Sequence, residues 1–237
     1  MSRISSQGTV IMIQTDAGTP GEAITAISKA KPAVLTMTAP TAVVGDVVVP
    51  RGTGYKNLDD RPFAVAAVAA GSVTLADSDT TNEVASAITA GATLEKPTMI
   101  ELCRSTLTLN NPAGATIDVT TLCDEAHKIV SGLPAIATWA ANGFYDADDA
   151  ALSAARDYYR TGDIVAFKAI FRDGSGIAWA GNVNVYDITA GINAAVTSNM
   201  GGNVSGLMSF IPKGIAGTGL AAAPQPQPPA EAARVAA

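Results

Sequence analysis

Apolar residues in this chain come in short runs broken by clusters of Gly, Pro, Asn and Asp, a spacing that predicts strands over most of its length. Thr9–Gln14 (T-V-I-M-I-Q) is a β-branched run that stops at the turn-rich Asp16-Ala17-Gly18-Thr19-Pro20-Gly21. The runs Ile24–Ser28, Val34–Thr38, Asp46–Val49, Phe63–Val68 and Val73–Leu75 follow at close spacing, which predicts a small barrel or sandwich of its own. Asp77–Asn82 closes that stretch, and Glu83–Thr93 reads as a return linker.

The pattern then predicts strands at Ile100–Leu102, Ser105–Leu109, Thr116–Val119 and Ala135–Ala141. Thr121 followed by Asp124 predicts a short capped helix through Val130. The clearest helix spans Asp146–Arg160. Asp146 is its expected N-cap, Asp148 and Asp149 are acids in the first turn, Arg156 and Arg160 are bases in the last, and Gly162 supplies a left-handed C-cap. Leu152, Ala155 and Tyr159 share one face of it, so the helix is built to lie on a sheet.

Strands Asp163–Phe171 and Ile177–Tyr186 come next, joined by Arg172-Asp173-Gly174-Ser175-Gly176. Parity selects their register. An even loop leaves both faces mixed, whereas the odd loop Asp173-Gly174-Ser175 pairs Phe171 with Ile177, Ala169 with Trp179, Phe167 with Gly181 and Val165 with Val183. That puts Val165, Phe167, Phe171, Ile177, Trp179 and Val183 on one apolar face, the expected core of the hairpin. The opposite face carries Lys168, Asn182 and Asn184. Closing strands are expected at Ile192–Ser198 and Val204–Phe210. Beyond Lys213 the chain turns Gly-, Ala- and Pro-rich, with too little apolar bulk to offset its ordering entropy.

Composition sharpens this picture. Hydrophobic residues are 48% of the 237, but aromatics only 5% and charged residues 15%, so Ala and Val supply much of the apolar content. Net charge is −6 with a pI near 4.7, which argues against affinity for a phosphate backbone. Met1–Gln7 is polar, with no apolar leader core, and Phe63–Ala70 is far short of the ~20 residues of a membrane helix.

Candidate chemistry is sparse. Cys103 and Cys123 have no C-x-x-C spacing and His127 is the single histidine, too few ligands for a structural zinc within one chain. The two cysteines are expected to be small buried thiols. Gly202-Asn203-Val204-Ser205-Gly206 misses the nucleophile-elbow spacing by one residue, and no Walker A pattern occurs. Asp146, Asp148 and Asp149 lack the Gly and terminal Glu of a calcium loop and are explained by helix capping. The expectation is therefore a protein without catalytic, metal or cofactor residues: no enzyme.

The ordered combination of a helix ending at Gly162-Asp163, a strand with Phe167 and Phe171, the Asp173-Gly174 turn, a strand with Trp179, Gly181 and Val183, and a closing strand near Val204 and Gly206 resembles siphophage major tail tube proteins. The strands Ser105–Leu109 and Thr116–Val119 fit the same family. Residues Ala23–Asn82 resemble a small β-barrel module inserted in phage structural proteins and named after the first catalytic cysteine half-domain of ubiquitin-activating enzymes. Pro32-Ala33-Val34, Gly45-Asp46-Val47-Val48, Gly52-Thr53-Gly54, Asn57-Leu58, Phe63-Ala64-Val65, Val73-Thr74-Leu75 and Asp79-Thr80 carry that likeness. Arg61-Pro62 stands where the module's usual Gly would precede the aromatic.

The resemblance implies a mainly β (α+β) fold. Two packed antiparallel sheets with one flanking α-helix form a tail-tube-type sandwich over residues 1–22 and 83–212, with a small β-barrel inserted at 23–82 and a Pro/Ala-rich tail at 213–237. It implies a structural virion protein, assembled in the bacterial host cytoplasm as hexameric rings that stack into a tail tube. Its partners would be copies of itself, the tape-measure protein, and tail-tip and tail terminator proteins. DNA would pass through the bore unbound, no membrane would be involved, and the inserted module would project outward. Lys168, Asn182 and Asn184 are the expected lumen or subunit-contact face. The alternatives are a tail terminator or connector of the same fold, and a carbohydrate- or receptor-binding β-module of a virion or surface fibre.

Overall fold

The computed structural model describes residues 8–83, 88, 90–114, 116–120, 126–132, 135–192 and 194–215. Among them are fourteen strands and one helix, and every strand pairing is antiparallel.

Two long strands organise the molecule. β1 (Val10–Ile27) is continuous through the stretch expected to be a turn, with register shifts against β6 (Thr93–Glu101) that bend it. Its second half enters a closed six-stranded barrel, β1–β2–β5–β4–β3–β6, made with β2 (Val34–Met37), β3 (Val47–Arg51), β4 (Phe63–Ala69) and β5 (Ser72–Leu75). Leu35, Val48, Leu58, Phe63, Val65, Val73 and Leu75 fill it and are almost wholly buried. The same core takes in Ala92 and Leu94, so the barrel draws on strand residues beyond position 82.

The first half of β1 pairs with β11 (Val165–Ile170), which pairs with β12 (Gly176–Gly181), which pairs with the end of β14 (Thr197–Ile211). This is the first sheet of a sandwich. β14 then changes sheets: its start pairs with β10 (Thr138–Phe144) and β13 (Val185–Thr189), and β10 pairs with β7 (Thr106–Asn110), giving a second sheet in the order β7–β10–β14–β13. The bend is built from glycine. Gly206 has φ +74°, and a Cβ on Gly202 would lie 1.8 Å from the Asn182 carbonyl oxygen. The two expected closing strands are thus one continuous strand, and the expected strand Ile177–Tyr186 is broken into β12 and β13.

Between the sheets lies the main core. Phe167 and Trp179 stack at 5.4 Å, and Trp139 sits 4.5 Å from Phe167. The Trp139 indole N–H donates to the Asn182 carbonyl at 3.1 Å, so its one polar group is satisfied. α1 (Ala150–Thr161) buries Ala151, Leu152 and Ala155 against this core. Its N-cap is Asp149, whose side chain accepts from the Ala151 and Leu152 amides, and Gly162 closes it at φ +75°. The helix therefore starts later than the sequence suggests. Asp146 instead accepts from the Asp148 amide, a turn ahead of the helix that uses the same capping chemistry.

The expected helix from Thr121 to Val130 is contradicted at its end, where β9 (Ile129–Ser131) pairs with β8 (Thr116–Asp118) as a separate two-stranded sheet. β-Branched Ile117, Ile129 and Val130 favour that pairing. Residues 121–125, Cys123 included, lie outside the described residues, as do 216–237. Cys103 is exposed rather than buried, because it follows the end of β6 where Leu102 takes the inward position.

Candidate assembly and lumen surfaces

The central hairpin shows how the candidate residues are placed. Val165 pairs with Gly181, Phe167 with Trp179 and Ala169 with Ile177, while the Phe171 amide donates to the Ser175 carbonyl at 2.8 Å. The loop is odd, as parity requires, but consists of Arg172-Asp173-Gly174, and each pairing shifts by two residues from the expected one. The cause is local. Gly174 takes the left-handed third position at φ +80°, and Asp173 accepts from the Ser175 amide and hydroxyl, fixing the turn there. A shift by two preserves the faces. Val165, Phe167, Trp179 and Val183 are buried in the core, with Ile177 packed against it; Phe171 is only half-buried, at the hairpin's end.

The residues expected on a lumen or subunit-contact face lie in different surroundings. Lys168 is only 6% exposed, and its ammonium donates to the Gly45 carbonyl of the barrel at 2.6 Å. Barrel residues Val47 and Val49 close over neighbouring Ala166, and Ala64 and Ala76 over Ala178. The second face of the hairpin is therefore covered by the barrel, and desolvation pushes the Lys168 pKa down. Asn182 is half-buried, its amide oxygen accepting from the Asn203 backbone at 2.9 Å. Asn184 is exposed and donates through its backbone N–H to Gly201. These three residues do not form one open face.

The open face belongs to the second sheet. Cross-strand rows Thr106–Asn142–Asn199–Asp187, Thr108–Ala140–Gly201–Val185 and Asn110–Thr138–Asn203 point away from the core. Hydroxyls, amides and small groups cover it. It carries one carboxylate, Asp187, and no basic side chain. The alternations T-L-T-L-N at 106–110 and T-W-A-A-N-G-F at 138–144 carry this signal in the sequence, though less conspicuously than the aromatic hairpin.

Edges differ between the sheets. β7 and β13 are the two borders of the second sheet and have no further strand beside them among the described residues. Among the described residues the first sheet differs: one side runs into the closed barrel, and the end of β14 is met by two barrel side chains, Arg61 and Asp77.

The two ends of the second sheet are both apolar and exposed. The β8–β9 hairpin leaves from the Asn110/Thr138 end and shows Ile117 (52%), Ile129 (68%) and Val130 (52%). The Phe144/Thr197 end shows Phe144 (65%), Ile188 and Ile192. His127, beside the hairpin, is exposed, with Nδ1 3.5 Å from Asp118. Bonds from Thr120 hold the Asp118 carboxyl below its usual range. Among the described residues no three His, Cys, Asp or Glu side chains gather as a metal site, and no helix is long and apolar enough to cross a membrane.

No family profile matches the chain, and no curated protein matches it. Solved structures overlap it in part, three of them as follows. The virion of a native gene transfer agent particle does so at TM-score 0.40 and 18% identity, over 46% of this chain and 85% of that one. The tail of an empty gene transfer agent particle, refined with C6 symmetry, does so at 0.38 and 19%, over 45% and 79%. The SPP1 tail tube does so at 0.37 and 13%, over 53% and 70%. Overlaps of this size do not establish a family.

Proposed function

We propose that this chain is the subunit of a phage-type tail tube, in which six copies close into a ring and rings stack around a bore that conducts DNA and a tape-measure protein. The observation that carries the reading is the second sheet: four antiparallel strands, two open edges and one nearly uncharged exposed face.

Because its strands alternate and are even in number, β13 of one copy and β7 of the next run antiparallel when copies are related by rotation. Side-by-side addition therefore extends the ladder without a break in pattern. Closure also removes edges that would otherwise recruit chains indiscriminately. Six copies give about 24 strands, and at ~4.8 Å spacing and ~40° tilt such a barrel is roughly 48 Å across at the backbone. That is room for a duplex inside a layer of side chains. A wall of Thr, Asn and Ala offers passing DNA no cation to bind.

Stacking is supported by the ends of the same sheet. A lone two-stranded hairpin is marginal in water, and its exposed Ile117, Ile129 and Val130 suit the apolar Phe144/Ile188 rim at the opposite end of another copy. The Lys168 face lies on the other side of the sandwich under the barrel, so the barrel takes the outside of the tube. Division into a sandwich (1–22 and 83–212), a barrel (23–82) and a tail (213–237) belongs to this reading, as do the siphophage assignment and the tail-tip and terminator partners.

Negative-stain electron microscopy of the purified chain at rising concentration tests it. Hollow tubes or stacked six-fold rings with outer knobs are expected. Isolated single copies at every concentration, unchanged by added tail-tip complex, would count against it.

A further inference from the structure

Among the described residues, the end of β14 has an edge with no strand beside it. On that side Thr197–Asn203 faces β10, and the last ladder bond runs from the Val204 amide to the Ala137 carbonyl. From Ser205 to Ile211, β12 continues on one side only. The segment reads S-G-L-M-S-F-I: uncharged, free of proline, with Leu207 60% and Phe210 59% exposed. An edge of this composition is a template for strand addition and aggregation.

Two side chains of the inserted barrel meet this edge. The Arg61 Nε donates to the Leu207 carbonyl at 3.2 Å, and the Phe210 amide donates to Asp77 Oδ2 at 2.8 Å. Both are pre-positioned. Arg61 also donates from Nη1 to the Asn57 carbonyl at 2.7 Å and lies over the Phe63 ring at 5.0 Å. Asp77 sits at the end of the β5 turn, at φ +56°. The seam is not packed shut: Asn57, Arg61, Asp77, Leu207 and Phe210 line an open cleft of about 300 Å³. What meets the edge is the pairing of two of its backbone groups, the Leu207 carbonyl and the Phe210 amide, with two charged side chains.

We propose that the inserted barrel guards this edge: Arg61 and Asp77 take the Leu207 acceptor and the Phe210 donor that a strand of a second copy would need, leaving association to the other surfaces. The guard function does not depend on ring formation, since any concentrated chain exposes the same edge.

The test uses full-length variants. Asp77→Gly removes the carboxylate at a position whose positive φ suits glycine, Asp77→Asn keeps an acceptor there, and Arg61→Ala/Asp77→Gly removes both plugs. Aggregation is followed by light scattering and thioflavin binding at dilute concentration. The double variant is expected to aggregate at least about tenfold faster than wild type, the factor that one hydrogen bond represents, with Asp77→Asn staying within about twofold. Adding Leu207→Lys, a charge on the edge itself, should restore the wild-type rate. A double variant no faster than wild type overturns the proposal. So does aggregation that Leu207→Lys leaves unchanged, since it would then come from general unfolding.

Discussion

Lys168 lets the contact between barrel and sandwich be weighed. Its ammonium is buried with the Gly45 carbonyl as hydrogen-bond partner, and the nearby Asp46 is engaged by Lys96 at 2.7 Å and by the Val43 amide. Lys168→Met keeps the apolar stem against Ala166 but removes the charge. It orphans the Gly45 carbonyl, which costs about 1–3 kcal/mol, and relieves a desolvation penalty of several kcal/mol. The expected net effect at about pH 7 lies between neutral and roughly 2 kcal/mol of stabilisation. Lys168→Ala also loses three buried methylenes at ~0.8 kcal/mol each and opens a cavity, so it should fall about 2–3 kcal/mol below the Met variant.

The pH dependence has a definite sign. The folded pKa lies below the ordinary lysine value of 10.5, so between the two the unfolded chain binds more protons, and wild-type stability rises with pH through that window. Each unit of depression is worth ~1.4 kcal/mol. The Met variant lacks this rise, and subtracting it removes the other titrating groups. Urea unfolding monitored by fluorescence of the buried Trp139 and Trp179 measures both curves. A Met variant more than about 2 kcal/mol less stable than wild type at about pH 7 would refute the reasoning, as leaving that carbonyl orphaned would then be the larger effect. So would a wild-type-minus-Met difference that stays flat up to pH 10.5.

Other expectations follow from the same geometry. Ile188→Lys in β13, or Thr108→Lys in β7, places a charge on an open edge; folding stability should change by less than about 1 kcal/mol while sedimentation velocity shows ring formation lost. Ile129→Asp in the hairpin and Phe144→Asp on the opposite rim should each give rings that do not stack, visible by electron microscopy. Asp149→Ala should cost about 1 kcal/mol by removing the helix cap, while Asp146→Ala costs under ~0.5 kcal/mol; thermal melts separate the two.

Much of the fold was legible because local rules and tertiary packing agree. Five of the six barrel strands fall where β-branched runs and turn residues put them, whereas β6 starts at Thr93, well before the strand expected at Ile100–Leu102; the parity of the Phe167–Trp179 hairpin follows from keeping one face apolar. Misreadings came where tertiary structure supplied a partner the sequence does not announce. Lys168 looked like a solvent-facing residue because alternation shows which face a residue is on, not what covers it. The covering barrel comes from a segment more than a hundred residues earlier. The Asp16–Gly21 region looked like a turn, yet β6 pairs along it and carries β1 through. For the open face of the second sheet the opposite bias applied. Its residues are Thr, Asn and Ala, which carry no chemical signature singly and become informative only as rows across four strands.

Net charge shows the same limit. The −6 agrees in sign with the proposed DNA-conducting bore, but little of it lies on the open face of the second sheet, where Asp187 is the one charged side chain. Asp46, Asp59, Asp60, Asp77 and Asp79 are on the barrel, where they fix turns, pair with Arg51, Lys31 and Lys96, or plug the β14 edge. The sandwich separates the two populations: open face, core, hairpin sheet and barrel succeed one another as layers. A surface that lets DNA slide needs weak interaction of either sign, because a strongly acidic wall would raise the energy of the confined polyanion. In the proposed tube a neutral polar wall would achieve that, and the carboxylates are left free to order the opposite side of the molecule.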